Sequence, residues 1–209
     1  LAGVDAHGKH LLFDFGDLVL HSHLGMSGGW HVYERGARWR RPRSSAWAVL
    51  AGECVEAIQF GGPTLRVLPA SRVAIDPQLA RLGPDILAAD LDLDRAIAGL
   101  RATDQARALG DALLDQRLVA GIGNIFKSEA AFAARLDPWR PLSSLTDDDL
   151  RAVLAAARVQ MLAAVTDGGR GRFAVYKRRG PCIRCRGTIR HGGQGDANRT
   201  TWWCERCQL

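Results

Sequence analysis

The sequence predicts an α+β protein of several domains: a β-rich start, a helical middle and a metal-bound hairpin at the end. Three observations lead there. The apolar period changes from two to about 3.6 past Ile75. Four of the five cysteines are spaced Cys182-x2-Cys185 and Cys204-x2-Cys207. Positive charge is gathered in the last 40 residues. The boundaries read as 1–78, 79–169 and 170–209.

The β-rich part begins almost at the first residue. His10 to Leu24 reads as an antiparallel pair: Leu11, Phe13 and Phe15 alternate, Gly16-Asp17 turns, and Leu18-Val19-Leu20 returns. A glycine-rich turn, Gly25-Met26-Ser27-Gly28-Gly29, leads into a strand over Trp30–Tyr33. Arg35 to Arg43 holds five arginines and a proline and reads as an exposed loop. Further strands are predicted at Trp47–Leu50, Val55–Phe60 and Thr64–Leu68, making a sandwich or a barrel. Cys54 stands in apolar sequence and reads as a buried small hydrophobe.

Helical spacing then takes over at Asp94–Ala102, Ala106–Leu114 and Ile122–Leu136, the last ending at Asp137-Pro138. Thr146-x-x-Asp149 resembles a capping box opening a helix over Asp147–Val165, closed by Asp167-Gly168-Gly169. No apolar run approaches a membrane span. No basic-then-apolar leader is visible, so a reducing, cytoplasmic setting is expected, in association with the nucleoid.

In the C-terminal segment, two residues between thiols let both sulfurs of a tight turn face one ion. Two such turns complete a tetrahedron. Two disulfides, a redox pair or an iron site are the alternatives. Disulfides fit a reducing compartment poorly, and nothing else suggests electron transfer. Four cysteines leave zinc no open position for water, so the expected Zn2+ is structural. Between the pairs, Arg190 to Gly195 reads as a turn, with strand-like Thr200-Thr201-Trp202-Trp203 returning and Arg199 at the tip of the hairpin.

The whole chain is +6, yet residues 170–209 carry +8, which leaves −2 on the first 169. Localised positive charge suits a polyanion, because neutralised phosphates release condensed counterions. A solvated basic tail is the alternative. The segment from Asp115 to Phe126 joins two predicted helices through Gly121-Ile122-Gly123-Asn124. Unpaired N–H groups at the start of the next helix would cradle a phosphate, with Asn124 as a further donor. Taken alone, such a turn is more often just a tight connection.

Four ordered motifs now converge: Gly8-Lys9-His10-Leu11-Leu12, His23 to Gly28, Leu114-Asp115-Gln116-Arg117 running into Gly121 to Phe126, and the four cysteines. Together, over nearly the whole chain, they resemble the formamidopyrimidine-DNA glycosylase/endonuclease VIII family. The resemblance implies a β-sandwich, a helix–two-turn–helix domain and a β-hairpin zinc finger. It also implies a bifunctional DNA glycosylase/AP lyase of base excision repair, acting as a monomer on damaged duplex DNA by flipping out a base.

In that family an N-terminal proline amine attacks C1′ of the sugar to form a Schiff base, and a neighbouring glutamate shuttles protons. An α-amino group titrates at roughly 7.7–8.0 and so is available unprotonated. The match at Lys9 implies several dozen residues ahead of Leu1, carrying that Pro-Glu start. A chain truly beginning at Leu1 is expected to bind DNA without excising bases.

By resemblance, Lys9 holds a phosphate beside the lesion and supports catalysis. Asn124 and Gly123 make the helix–two-turn–helix phosphate contact. Arg199 is the finger arginine gripping phosphates that flank the flipped nucleotide, which suits its planar fork of donors. Arg117 matches a basic position before the turn. Met26 fills the gap left by the extruded base, its alternative being a core methionine. The stretch Ile58 to Pro63 has no arginine before Phe60, unlike the Arg-Phe wedge of the guanine-lesion enzymes. With Gly8-Lys9-His10 and the Lys127 context, this points to the endonuclease VIII branch and oxidised pyrimidines. Two other classes compete: a non-catalytic DNA binder keeping clamp and finger, and an RNA-binding zinc-ribbon protein, in which the first two motifs have no role.

Overall fold

Residues 1–168 and 173–209 are described by a computed structural model. The expected domain boundary at 169/170, the Gly169 helix end and two of the counted arginines, Arg170 and Arg172, lie outside the described residues. The chain forms two compact units, Leu1–Ala80 and Arg81–Leu209.

The first unit is two antiparallel sheets. Strands β1 (Gly3–His7), β2 (His10–Asp14), β3 (Leu18–His23), β4 (Gly29–Glu34), β5 (Ala46–Ala51), β6 (Val55–Phe60) and β7 (Thr64–Pro69) are ordered β1-β2-β3-β7 and β4-β6-β5. Alternation decides which faces meet. Phe13 packs on Trp30 with ring centroids 4.9 Å apart. Ser22 Oγ on β3 donates to Gln59 Oε1 on β6 at 2.7 Å and accepts from Trp30 Nε1 at 3.1 Å. The sheets therefore close as a sandwich around Phe13, Leu20 and this buried polar bridge.

Two details differ from the sequence reading. Phe15 lies beyond β2 and is exposed, because its N–H is taken by Leu18 O in the turn. Cys54 is exposed, not buried: it sits in the turn between β5 and β6, where Gly52 N–H donates to Val55 O.

The second unit holds α1 (Leu93–Ala102), α2 (Leu109–Ala112), α3 (Asn124–Ala133), α4 (Asp147–Thr166) and the hairpin β8 (Ile189–Gln194) and β9 (Arg199–Cys204). Its core joins Ile97 and Leu100 of α1, Leu109 and Leu113 around α2, Ile122, and Leu150, Val153, Leu154 and Ala157 of α4. Thr146 accepts from Asp149 N at 3.1 Å and Asp149 accepts from Thr146 N at 2.9 Å, so the capping box forms.

Helix over Ala106–Leu114 shrinks to the single turn of α2. Leu109 and Gly110 give their N–H groups to Arg140 O and Pro138 O, both at 2.9 Å, instead of continuing a helical ladder. The predicted Ile122–Leu136 helix is trimmed at both ends. Gly123 caps it in extended backbone, and Arg135, at φ 61, closes it with Leu136 N–H returning to Ala131 O.

Candidate nucleic-acid interface and metal centre

The cysteine spacing builds what it predicts. Cys182 and Cys185 precede β8, and Cys204 ends β9 with Cys207 in the turn beyond it. Their four sulfurs lie within 4.8 Å of one another. Cys182–Cys207 and Cys185–Cys204 are 3.7 and 3.5 Å apart. Tetrahedral zinc at about 2.3 Å from each sulfur asks for separations near 3.8 Å. Arg184 N and Gly187 N point at the sulfurs of Cys182 and Cys185, each at 3.4 Å, as donors to thiolates would. Burial, and then the neighbouring sulfurs, push the Cys207 thiol up to about 12. The cluster alone thus keeps a proton that a dication would displace. The donor set fits structural zinc, and with every position taken by protein it leaves none for substrate.

The hairpin is seated along α3. Asn124 Nδ2 donates to Thr200 O at 2.8 Å, Lys127 Nζ to Thr201 Oγ1 at 2.6 Å, and Trp202 N to Ser128 Oγ at 3.3 Å. Thr201 Oγ1 in turn donates to Gln194 Oε1 at 2.7 Å. Arg184 lies over the Phe132 ring at 4.1 Å and donates to Phe132 O. The Glu129 carboxylate accepts three successive N–H groups, from Ala174, Val175 and Tyr176, at 2.7 to 2.8 Å.

Asn124 and Arg199 are thereby brought together, since Thr200, the acceptor of the Asn124 amide, follows Arg199 directly. Asn124 Oδ1 is buried without a hydrogen-bond partner. Lys127 is fully buried. Burial, then repulsion from Arg199, lower its pKa to about 8, with Asp111 opposing.

The turn before α3 is tied by Gln116, whose Nε2 donates to Ile122 O at 3.0 Å and whose Oε1 accepts from Gly121 N at 3.0 Å. Gly121 needs its residue type: φ is +105, and a Cβ would come within 2.9 Å of Ile86 Cγ2. Gly123 does not use that freedom. It offers an N-cap without a side-chain acceptor, which leaves first-turn N–H groups of α3 to other partners. Arg117 is exposed and paired with Asp115 at 2.6 Å. Asp115 is also bound by Arg107 at 2.8 Å, and these guanidiniums, Arg117 first, hold its carboxyl far below the usual range.

In the first unit, Lys9 occupies the exposed turn between β1 and β2, after Gly8 at φ 59. Its charge reaches His23. Met26 is 84% exposed in the β3–β4 turn, which excludes the core alternative. That turn is pressed against the β6–β7 turn: a Cβ on Gly28 would lie 2.8 Å from Gly62 Cα.

Sequence reasoning missed a buried chain of side chains beside Lys9. Asp76 Oδ1 accepts from Arg66 Nη2 at 2.6 Å, and Arg66 Nε donates to His21 Nδ1 at 3.1 Å. His21 Nε2 and His10 Nδ1 are 2.8 Å apart, and His10 stacks on His23 at 4.6 Å. Because Arg66 can only donate, His21 carries its proton on Nε2, and His10, accepting it on Nδ1, carries its own on Nε2. Burial first, then His23, lower the His10 pKa to about 4. Lys127, Gln116 and Glu129 were also missed as structural groups. The only available signal was polar residues set in apolar helical or turn sequence.

A β-sandwich unit, together with a second, helical unit that seats a four-cysteine hairpin, defines the class of helix–two-turn–helix zinc-finger proteins. Family models for the formamidopyrimidine-DNA glycosylase N-terminal domain and H2TH domain match residues 1–59 and 82–174. The chain belongs to the formamidopyrimidine-DNA glycosylase/endonuclease VIII family. It is 39% identical to a Streptomyces coelicolor protein named probable endonuclease 8 2, over 98% of this chain and 78% of that one. It is 35% identical to the Thermus thermophilus formamidopyrimidine-DNA glycosylase, covering 98% and 81%. The structure of Lactococcus lactis formamidopyrimidine-DNA glycosylase, bound non-covalently to AP-site DNA, superposes with TM-score 0.84 at 25% identity, covering 99% of this chain and 80% of that one. No described helix is long and apolar enough to cross a membrane.

Proposed function

We propose that the protein is a bifunctional DNA glycosylase/AP lyase of base excision repair that removes mainly oxidised pyrimidines from duplex DNA as a monomer. The observation that carries this is the junction of α3 and β9, where Asn124, Arg199 and the open first turn of α3 share one locus. Such a locus suits phosphate: guanidinium, amide and backbone N–H groups are all donors to it. Gly123, Asn124 and Arg199 would hold the backbone there, with Arg117 flanking. Lys9 would hold a phosphate at the β unit and assist catalysis, and Met26, apolar and exposed, would fill the space of the flipped base.

By the family resemblance, the nucleophile would be an N-terminal proline amine next to a glutamate. Its lone pair bonds C1′ as the glycosidic bond breaks, and the base leaves with the bonding pair and gains a proton. Ring opening gives the Schiff base, and elimination of the two flanking phosphates then cuts the strand. The pyrimidine preference rests on the absence of arginine before Phe60 and on the relatives named endonuclease 8 2, at 39% and 35% identity. The chain divides into functional parts at 1–78, 79–169 and 170–209.

Borohydride trapping and excision with the full-length protein, on thymine glycol and 8-oxoguanine duplexes, test this. A covalent adduct with both, and faster release of thymine glycol, are expected. Preference for 8-oxoguanine overturns the branch. Tight binding without any adduct overturns the enzyme in favour of a non-catalytic binder.

A further inference from the structure

The loop between β4 and β5 holds Arg35, Arg38, Arg40, Arg41 and Arg43 with no acidic residue among them. Its path is dictated by register. Glu34 at the end of β4 lies opposite Val55, whereas Ala46 at the start of β5 lies opposite Phe60, the other end of β6. The connection must therefore run the length of the sheet. Trp39 pins it there, edge-on to Phe60 at 6.1 Å and stacked on Tyr33 at 6.3 Å. Trp39 Nε1 donates to Glu56 Oε2 at 3.2 Å, and Arg40 N donates to the Tyr33 hydroxyl at 3.1 Å.

This anchoring fixes cations without neutralising them. Arg43 lies over the Trp39 ring at 4.3 Å and Arg41 over Phe60 at 5.5 Å. Arg38 and Arg40 line an open cleft of about 450 Å³ along the edge strand β4. Among the described residues, none of these four guanidiniums has a carboxylate within ion-pair distance. Four residues after Arg43, a bulge at the start of β5 carries Trp47, which is 56% exposed.

We propose that this face of the β4-β6-β5 sheet binds single-stranded nucleic acid, with phosphates on Arg38, Arg40, Arg41 and Arg43 and a base stacked on Trp47. Four unneutralised guanidiniums on a pinned loop favour a polyanion, and stacked guanidiniums lose little freedom on binding. The exposed indole selects the form of that polyanion. A duplex keeps its base faces covered by their neighbours, while a single strand offers them to an aromatic ring. The surface belongs to the first unit, whereas Asn124 and Arg199 belong to the second, and the proposal does not rest on the reading given to them.

The test is binding of the full-length protein to a 15-nucleotide thymidine strand across a salt series. Arg38→Ser/Arg40→Ser removes two cations that stack on no ring, so the loop keeps its anchors. It should flatten the slope of log K against log salt by about 0.7 per lost phosphate. Trp47→Ala should weaken binding about fivefold or more. Both differences should survive in an Arg199→Ala background. Unchanged slope and affinity in well-folded variants would overturn the proposal, as would loss of all strand binding with Arg199→Ala alone. Displacement of the strand by polyglutamate at equal charge concentration would also overturn it, marking an acidic protein as the occupant.

Discussion

Lys127 Nζ meets Thr201 Oγ1 at 2.6 Å, and neither side chain has any exposure to solvent. A buried ammonium thus joins the first half of α3 to the middle of β9, beside the locus assigned to phosphate. Its three hydrogens can only donate, and the threonine hydroxyl accepts one while passing its own proton to Gln194.

That ammonium should make stability depend on alkaline pH. Its folded pKa, about 8, lies below the ordinary lysine value of 10.5. Below pH 8 both folded and unfolded states carry the proton, and the burial cost is present in full. Between pH 8 and 10.5 the unfolded state binds more protons, so stability rises with pH. Lys127→Met removes this dependence. The melting temperature of the wild type relative to the variant should be flat below pH 7.5 and climb above pH 8. The total is bounded by about 3 kcal/mol. A flat difference across the whole range would show an ordinary lysine.

The histidine chain should act at the opposite end of the scale. The pKa of His10 falls from 6.5 unfolded to about 4 folded. Stability is therefore complete above pH 6.5 and is lost as pH falls towards 4, by up to about 3 kcal/mol. Nitrogen NMR should find His10 and His21 neutral and protonated on Nε2 at pH 6. Arg66→Met, which removes the donor to His21 Nδ1, should release that tautomer. If His10 titrated near 6.5, the chain would not be holding it neutral.

Zinc removal should strip order from the hairpin and leave the sandwich intact. With Cys204→Ser or a chelator, amide protection should collapse over residues 189–204 while β2, β3 and β6 keep theirs. Coincident loss in both units would mean that the metal supports more than its own hairpin.

Much of this architecture was legible because local chemistry is explicit. The capping box at Thr146, the alternation of β2 and β3 and the cysteine spacing each state their geometry within a few residues. Cys54 and the Ala106–Leu114 stretch misled because their fates depend on distant partners. A hairpin turn exposed the cysteine, and Arg140 and Pro138 took the N–H groups that a longer helix would have used. The site was half legible for the same reason. Asn124 and Arg199 could be named from motifs, but Lys127 reads as one more helix lysine until a threonine 74 positions away is brought to it. His21 likewise shows no sign in the sequence of the arginine 45 residues downstream that fixes its proton.

The seating of the hairpin bears on how such a protein can diverge. Asn124, Lys127 and Ser128 on one side of α3 hold Thr200, Thr201 and Trp202 of β9, and Glu129, further round the helix, holds the backbone of Ala174, Val175 and Tyr176. The finger is consequently not an interchangeable part. Transplanted into a homologue with its cysteines alone, it would still take its metal but would have lost its foundation. Inheritance should therefore keep the face of α3 and the strand it carries together, so that a change in one is answered by a change in the other.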